Sequence, residues 1–573
     1  MRAIPVASLF VSFALVSCSG PASKRSDPAD AIYFGGDIIT VSDADPEAEA
    51  IAIKDGRILF VGSKAKAMEL HGDSTAMHDL QGRTLIPGFV DAHSHMSQVG
   101  VQAISANLLP PPDGPATSIP QIQEILRSFI ATSSMVKDHG ILIGFDYDDS
   151  QLVEHRHPTR QELDAVSTEI PVFVIHQSGH LGVYNTKALQ MAGITAASKD
   201  PDGGTIHREQ DSRTPSGLLD ENAHIGALLT LMPKFSLEEA MDLITSAQEI
   251  YEQNGFTTVQ DGRTDGNSLR VFAAAGKRGK LQLDVVAYPD MEMTEGDTML
   301  NGPLMARVYT DHFRIGGVKF SLDGSPQGKT AWFTQPYFQP PHGMKADYAG
   351  FPIFAQDSTL ERLVAQAFQK EWQVLAHANG DAAIDQSIRV VRSVSEKYPG
   401  KDRRPVLIHG QYLRKDQVPE LKELGIFPSL YPMHTFYWGD WHRESVAGPE
   451  RAENISPTCW LLAEDMRFSI HSDAPVTFPN SMRIFDSAVN RTTRTGRVLG
   501  PQHRLTPMQA LKAMTIDAAY QHFEEASKGS LEVNKLADLV ILDKNPLKVE
   551  PATIKDIQVM ETIKAGKSLY KRD

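Results

Sequence analysis

Two histidines, His93 and His95, end the apolar run Pro87-Gly88-Phe89-Val90-Asp91-Ala92. Alternate side chains of a strand share a face, so both imidazoles can point at one cation. A His-x-His pair is weak evidence by itself. Residues of ligand type recur in later apolar segments, however: Lys319 within Val318-Lys319-Phe320, His377 after Val374-Leu375-Ala376, His409 after Val406-Leu407-Ile408, and Asp473 shortly after Phe468-Ser469-Ile470. Singly, each has a plain structural reading as an ion pair, a packed core histidine or a helix cap. Jointly, at the ends of successive strand-like runs, they point to a metal site. A divalent ion lowers the pKa of bound water from ~16 toward ~7 and polarises a carbonyl as a Lewis acid, so the chemistry expected is hydrolysis. Asp473 is placed to move a proton from the water to a leaving amine.

The elements that must position these residues follow a strand-then-helix pattern. Ser236 with Glu239 predicts a capping box before a helix running to Gln253, and Gly255 stops it before Phe256-Thr257-Thr258-Val259-Gln260. Leu360, Leu363, Val364, Ala367 and Phe368 form an apolar helical stripe ahead of the His377 strand. Strands are predicted near residues 85–93, 256–261, 281–288, 313–320, 373–377, 405–409, 426–431 and 467–473, which is the pattern of an α/β (β/α)8 TIM-like barrel over 85–524. Active sites of such barrels lie at the C-terminal strand ends, where the ligand-type residues cluster. The gap between the first two strands is too long for one helix. It predicts an inserted subdomain over 97–235, with helix-like stretches and a strand at Val172 to Ile175, covering the barrel mouth. Short alternating segments in 31–84 and 525–573 predict a small composite β-sandwich domain built from both chain ends.

The composition of 573 residues, 41% apolar and 22% charged, is that of a globular chain with a large core. Its net charge of −15 argues against a nucleic-acid surface. The partners expected are a small-molecule substrate and a membrane, with a homodimer left open. The membrane expectation comes from residues 1–17, which combine Arg2, an apolar stretch from Ile4 to Val16, and Leu15-Val16-Ser17-Cys18. That run resembles a bacterial lipobox, with Cys18 as the lipidated residue, residues 18–30 as a polar tether and a cell-envelope location; an ordinary signal peptide cut nearby is the alternative. Only Cys459 then remains, so no intrachain disulfide framework forms, and its segment reads as a buried helix.

Several motifs together resemble the amidohydrolase superfamily, and within it the amidohydrolase 3 group: LIPGFVDAHSH (85–95), SGHLGVYNTKAL (178–189), PSGLLDE (215–221), GFTTVQD (255–261), VKFSLDGS (318–325), AHANGDAA (376–383), LIHGQ (407–411), HSDAPV (471–476) and LADLVILD (536–543). The resemblance implies His93, His95, Lys319, His377, His409 and Asp473 as ligands to one or two divalent ions, with Lys319 often carboxylated so that it bridges both. Three positions depart from the family pattern: His471, where a small residue is usual, Asn379, where an apolar one is usual, and Lys329, where arginine is common. His471 is read as an extra ligand or substrate contact, or else as a packed histidine.

Zinc is the default ion, since imidazole and carboxylate suit it, with Mn, Fe and Co close behind. His180, followed by Asn185, is a candidate for recognising the carbonyl or leaving group. His434, Trp438 and Trp441, after the seventh strand, are candidates for an apolar wall, with packing of the loop itself as the alternative. The function expected is hydrolysis of a non-peptide carbon–nitrogen bond, such as an N-acyl or N-formyl amine. A cyclic amide, an ester, a deaminated ring and a non-catalytic surface binding module are the alternatives.

Overall fold

A computed structural model describes residues 27–572 apart from Asp202, Asp211 and His342. Cys18, the leader and most of the tether lie outside the described residues. Among the described residues no helix is long and apolar enough to cross a membrane.

The two chain ends share one eight-stranded sheet. Its N-terminal strands, Ala31–Ile39, Glu47–Lys54, Arg57–Gly62, Ala76–Asp79 and Thr84–Pro87, join the C-terminal Leu539–Leu542, Val559–Lys564 and Lys567–Lys571. The seam is antiparallel, with Leu539 opposite Pro87 and Leu542 opposite Thr84. Alternation supplies its core, in which Ile38, Ile51, Ile53, Leu85, Leu539 and Ile563 pack together. The single strand expected over 85–93 is therefore two. Thr84–Pro87 belongs to the end sheet, and the chain leaves it at Gly88, whose N–H donates to the Asp538 carbonyl at 2.8 Å. A Cβ at Gly88 would lie 2.5 Å from Thr257 Cγ2, so no side chain fits at this crossing.

The barrel starts immediately afterwards. Its strands are β1 Phe89–Val90, β2 Phe256–Thr264, β3 Asp284–Pro289, β4 Phe313–Ile315 with Gly317–Ser321, β5 Gln373–Ala378, β6 Val406–His409, β7 Phe427–Leu430 and β8 Ser469–Ile470. Neighbours pair in parallel, as in Val90 with Thr258, Val285 with Phe313, Ser321 with His377, Ala378 with His409, and Leu430 with Ile470. The ring closes past the ends of β8 and β1, where Asp473 N–H donates to the His93 carbonyl at 3.1 Å and His95 N–H to the Ala474 carbonyl at 2.6 Å. Outside it, helix Leu237–Gln253 starts at the Ser236/Glu239 capping box, and Asp357–Gln369 buries Leu360, Leu363, Val364, Ala367 and Phe368.

Between β1 and β2 the chain builds a six-stranded mixed sheet: Ala106–Asn107, Leu142–Tyr147, Val172–His176, Leu181–Tyr184, Gly204–Arg208 and Pro215–Glu221. It is richer in strand than the helix-like stretches suggested, because its strands are short and three of them, Leu142–Tyr147, Val172–His176 and Leu181–Tyr184, are buried on both faces. Gln177 Nε2 donates to the Val476 carbonyl and Trp438 Nε1 to Asp148 Oδ2, both at 3.0 Å, which fixes this sheet over the C-terminal mouth of the barrel.

Candidate metal centre

The residue-level cause of the site is how the strands end. Asp91, buried just beyond β1, accepts from the Ser94 hydroxyl and from Gln260 N–H, which bends the chain so that His93 and His95 turn inward. His409 and Asp473 both stand at positive φ, 74° and 56°, a conformation that non-glycine residues rarely adopt and that aims their side chains across the mouth. Asp473 is the centre of the group. Its Oδ1 lies 3.4 Å from His93 Nε2 and 3.2 Å from His95 Nε2, and its Oδ2 is 3.8 Å from His409 Nε2. His409 Nε2 is 3.2 Å from His377 Nδ1, and Lys319 Nζ is 2.9 Å from His93 Nε2. All six residues expected as ligands thus meet at one place.

Three observations fit this set to a divalent cation. Tetrahedral ligation with bonds of about 2.0–2.1 Å separates ligand atoms by roughly 3.3 Å, close to the spacings found. Asp473 Oδ1 is buried with no hydrogen-bond donor, a state a cation would relieve. Finally, the outer ring nitrogen of His93 faces an acceptor: Nδ1 meets Gln260 Oε1 at 2.6 Å. A proton held there leaves the inward Nε2 of His93 as a lone pair. Burial first, and neighbouring positive groups second, hold His93, His377 and His409 well below the ordinary histidine pKa, so they are neutral as ligation requires. Burial also pushes Lys319 down to about 7, which removes much of the positive charge that would repel a cation.

A second group, Asp148, Asp149 and His176, has similar spacing, with His176 Nε2 3.0 Å from Asp149 and 3.9 Å from Asp148. It is wired in the opposite sense. Ser178 N–H donates to His176 Nδ1 at 3.0 Å, so the proton of the neutral ring sits on Nε2 and is given to Asp149. That is a donor–acceptor pair holding the inserted sheet together, not a cation cradle.

The other residues singled out in the sequence fall differently. His180, in the loop between Val172–His176 and Leu181–Tyr184, pairs through Nδ1 with Glu221 Oε2 at 3.0 Å. Burial disfavours its charge, but Glu221 outweighs burial and the pKa is raised, helped by the charge of Asp473. Asn185 is no substrate contact: it caps helix Thr186–Met191, its Oδ1 accepting from Ala188 and Val172 N–H and its Nδ2 donating to the Ser167 and Ile170 carbonyls. Nothing on it is left to bind with. His434 and Trp438 are buried in helix Met433–Trp441 rather than forming an open wall. His434 Nδ1 meets His442 Nε2 at 2.9 Å, and Trp438 holds Asp148. Trp441 donates to the Gln327 carbonyl and lies 4.9 Å beneath Lys329 Nζ. His471 is not aimed at the cavity; its Nε2 is 3.1 Å from His409 Nδ1 and its Nδ1 is 2.9 Å from Ser429 Oγ. Asn379 Nδ2 donates to the Gly324 carbonyl behind His377. Cys459 sits half-buried in helix Thr458–Ala463.

Sequence reasoning missed Gln260 and Asp323. Gln260 stood in view within GFTTVQD, as the next-to-last residue of that motif. Asp323 accepts N–H groups from Asn379, Gly380 and Trp332, tying the loop after β4 to the end of β5; burial first pushes its carboxyl up to about 7 against those bonds.

Comparison with known proteins agrees with this architecture. The sequence profile of the amidohydrolase family matches residues 76–570. The chain is 29% identical to Protein LONG AFTER FAR-RED 3 of Arabidopsis thaliana, covering 95% of this chain and 92% of that one. It is 25% identical to N-substituted formamide deformylase of Arthrobacter pascens, covering 95% and 98%. In fold it is similar to an uncharacterized metal-dependent hydrolase from Pyrococcus horikoshii, with a TM-score of 0.72 at 24% identity, covering 91% of this chain and 99% of that one. The chain belongs to the amidohydrolase family and is an enzyme, a hydrolase of the class that acts on carbon–nitrogen bonds other than peptide bonds.

Proposed function

We propose that this enzyme hydrolyses the amide bond of a small N-acyl or N-formyl amine, using one or two divalent ions, zinc by preference. The observation that carries the reading is the position of the Asp473 carboxylate, with Oδ1 between His93 and His95 and Oδ2 toward His409. The similarity to a formamide deformylase supports an acyl or formyl amine over a cyclic amide.

His93 and His95 would hold one ion with Asp473, and His377 and His409 a second. An ion bound there polarises a scissile carbonyl and acidifies water. The residues themselves do the rest. With its amine pushed by burial to about 7 and so partly uncharged near neutrality, Lys319 can add to carbon dioxide, forming an N–C bond and releasing a proton, which gives an anion able to bridge the two pairs. Asp473 accepts the proton of the attacking water and returns it to the leaving nitrogen, the step that a poor amine leaving group needs. His180, whose charged form is favoured by Glu221, can when protonated offer Nε2–H to the carbonyl oxygen or the departing group.

The test is metal analysis of the purified enzyme together with hydrolysis of a panel of N-formyl and N-acetyl amines. Turnover that is lost on chelation and regained with added zinc is expected. Bound metal without hydrolysis of any acyl amine would overturn the substrate class.

A further inference from the structure

Beneath the metal centre a set of polar side chains is buried within the barrel, and its hydrogen bonds run in one direction. The direction can be derived from a single backbone carbonyl. Gln521 Nε2 donates to the Ala92 carbonyl at 2.6 Å, so Gln521 Oε1 is the atom facing Ser469, whose hydroxyl is 2.7 Å away. An amide oxygen only accepts, so Ser469 must give its one proton there. Ser469 Oγ is also directed at Ser429 Oγ, 2.9 Å away, but giving its proton there would leave the buried Gln521 Oε1 without a donor; with that proton on Gln521, Ser429 supplies the proton between the two hydroxyls and accepts from His471 Nδ1–H at 2.9 Å. His471 consequently carries its lone pair on Nε2, where it accepts from His409 Nδ1–H at 3.1 Å. His409 is left with a bare Nε2, the nitrogen that faces His377 and Asp473.

The same carbonyl fixes a second ligand. Gln260 Nε2 also donates to Ala92 O at 2.6 Å, so its Oε1 faces His93 Nδ1 and accepts that proton, leaving His93 Nε2 bare. Ser429, Ser469, Gln260 and Gln521 are each 0% exposed and His471 is 1% exposed, so water does not compete for these positions. The chain is complete without any reference to a metal.

We propose that His471 is a positioning residue, the last link of a buried relay through Ser429, Ser469 and Gln521 that sets His409 in its ligand tautomer, while Gln260 does the same for His93 from the shared Ala92 carbonyl. This rests on the hydrolase reading above and deepens it. His471 stacks on Tyr431 with centroids 5.1 Å apart, which holds its plane for the bond to His409. Partners of this kind behind metal-binding histidines typically change metal affinity by about 10- to 100-fold.

The experiment compares wild type, His471→Leu, His471→Gln and Ser429→Ala, each stripped of metal. Zinc affinity is measured by competition with a chromophoric chelator, the visible spectrum is taken with cobalt(II), and melting of each apo form is recorded. His471→Leu should weaken zinc binding about 10- to 100-fold and alter the cobalt bands. His471→Gln, which can still accept from His409 and donate to Ser429, should regain most of both. Ser429→Ala, leaving His471 in place but its tautomer unset, should weaken binding less than His471→Leu. Wild type that takes up no metal would overturn this proposal and the hydrolase reading together. Wild type that binds metal, with His471→Leu matching it in affinity and cobalt spectrum, would overturn the relay alone.

Discussion

Asp473 and Asn185 show how much a residue's type can mislead or inform before its partners are known. Asp473→Asn keeps the volume but removes the proton acceptor, so turnover should fall by about 10²–10⁴-fold while apo stability is retained, measured as kcat beside a melting curve. Full activity in that variant would refute the assigned proton transfer. Asn185→Ala should do the reverse. Loss of the helix cap costs about 1 kcal/mol or more in a denaturation curve, with KM unchanged. The six ligand-type residues were legible in the sequence because each closes or interrupts an apolar run, and no core needs histidine, lysine or aspartate at five such places. Asn185 was misread although its signal was present: an asparagine directly before Thr186-Lys187-Ala188-Leu189 is a cap first. His471 and Gln260 were not legible as relay members, since their role depends on Ser429, Ser469 and Gln521, which only the closed barrel brings together.

At the scale of elements, strand positions of the barrel were readable because buried parallel strands are near-continuous apolar runs separated by amphipathic helices. The inserted sheet was not. Its first strand is two residues long, Ala106–Asn107, and several others, such as Leu142–Tyr147, are buried throughout, so no alternation marks them. Helix Met433–Trp441 was hidden for a related reason, being buried over most of its circumference, with Tyr437 and Trp438 bonded to Asp113 and Asp148 of the inserted segment, so its apolar residues form no stripe. Trp438 tests that contact. Trp438→Phe keeps an aromatic ring but leaves the buried Asp148 carboxylate without one donor, which should lower stability by about 1–3 kcal/mol in chemical denaturation while metal content stays at the wild-type level. Unchanged stability would mean that the inserted sheet is held to the mouth by other contacts.

For the whole molecule, the end sheet is joined to the barrel by a shared apolar core, in which Ile86, Val540 and Leu542 pack in one cluster with Phe89, Tyr251 and Phe256, and by buried charge. Asp284 of β3 pairs with Lys528 and Lys564, each at 2.6 Å; Lys564 also reaches Asp538 at 2.7 Å, and Glu524 binds Lys528 and Arg314, both at 2.7 Å. Asp538 and Lys564 belong to the C-terminal part of the end sheet and its approach, so the network crosses the domain boundary. Burial alone would raise these carboxyl pKa values, but the lysines and Arg314 overcome it: Asp284 is held well below the carboxylate range and Glu524 falls to about 2. Folded values below the unfolded ones of about 4 mean that this stabilisation is complete above pH ~4 and is lost as pH falls through ~2. Wild type should therefore lose stability steeply between pH ~4 and ~2. Asp284→Asn should cost about 3–5 kcal/mol at pH 7, because it leaves two buried lysines short of a partner, and its stability should depend less on pH across the acid window. Denaturation curves of both proteins at pH 7, 4 and 3 make the comparison. If the two lose stability in parallel below pH 4, the acid sensitivity comes from carboxylates elsewhere, and the network is not what fastens the two ends of the chain to the barrel.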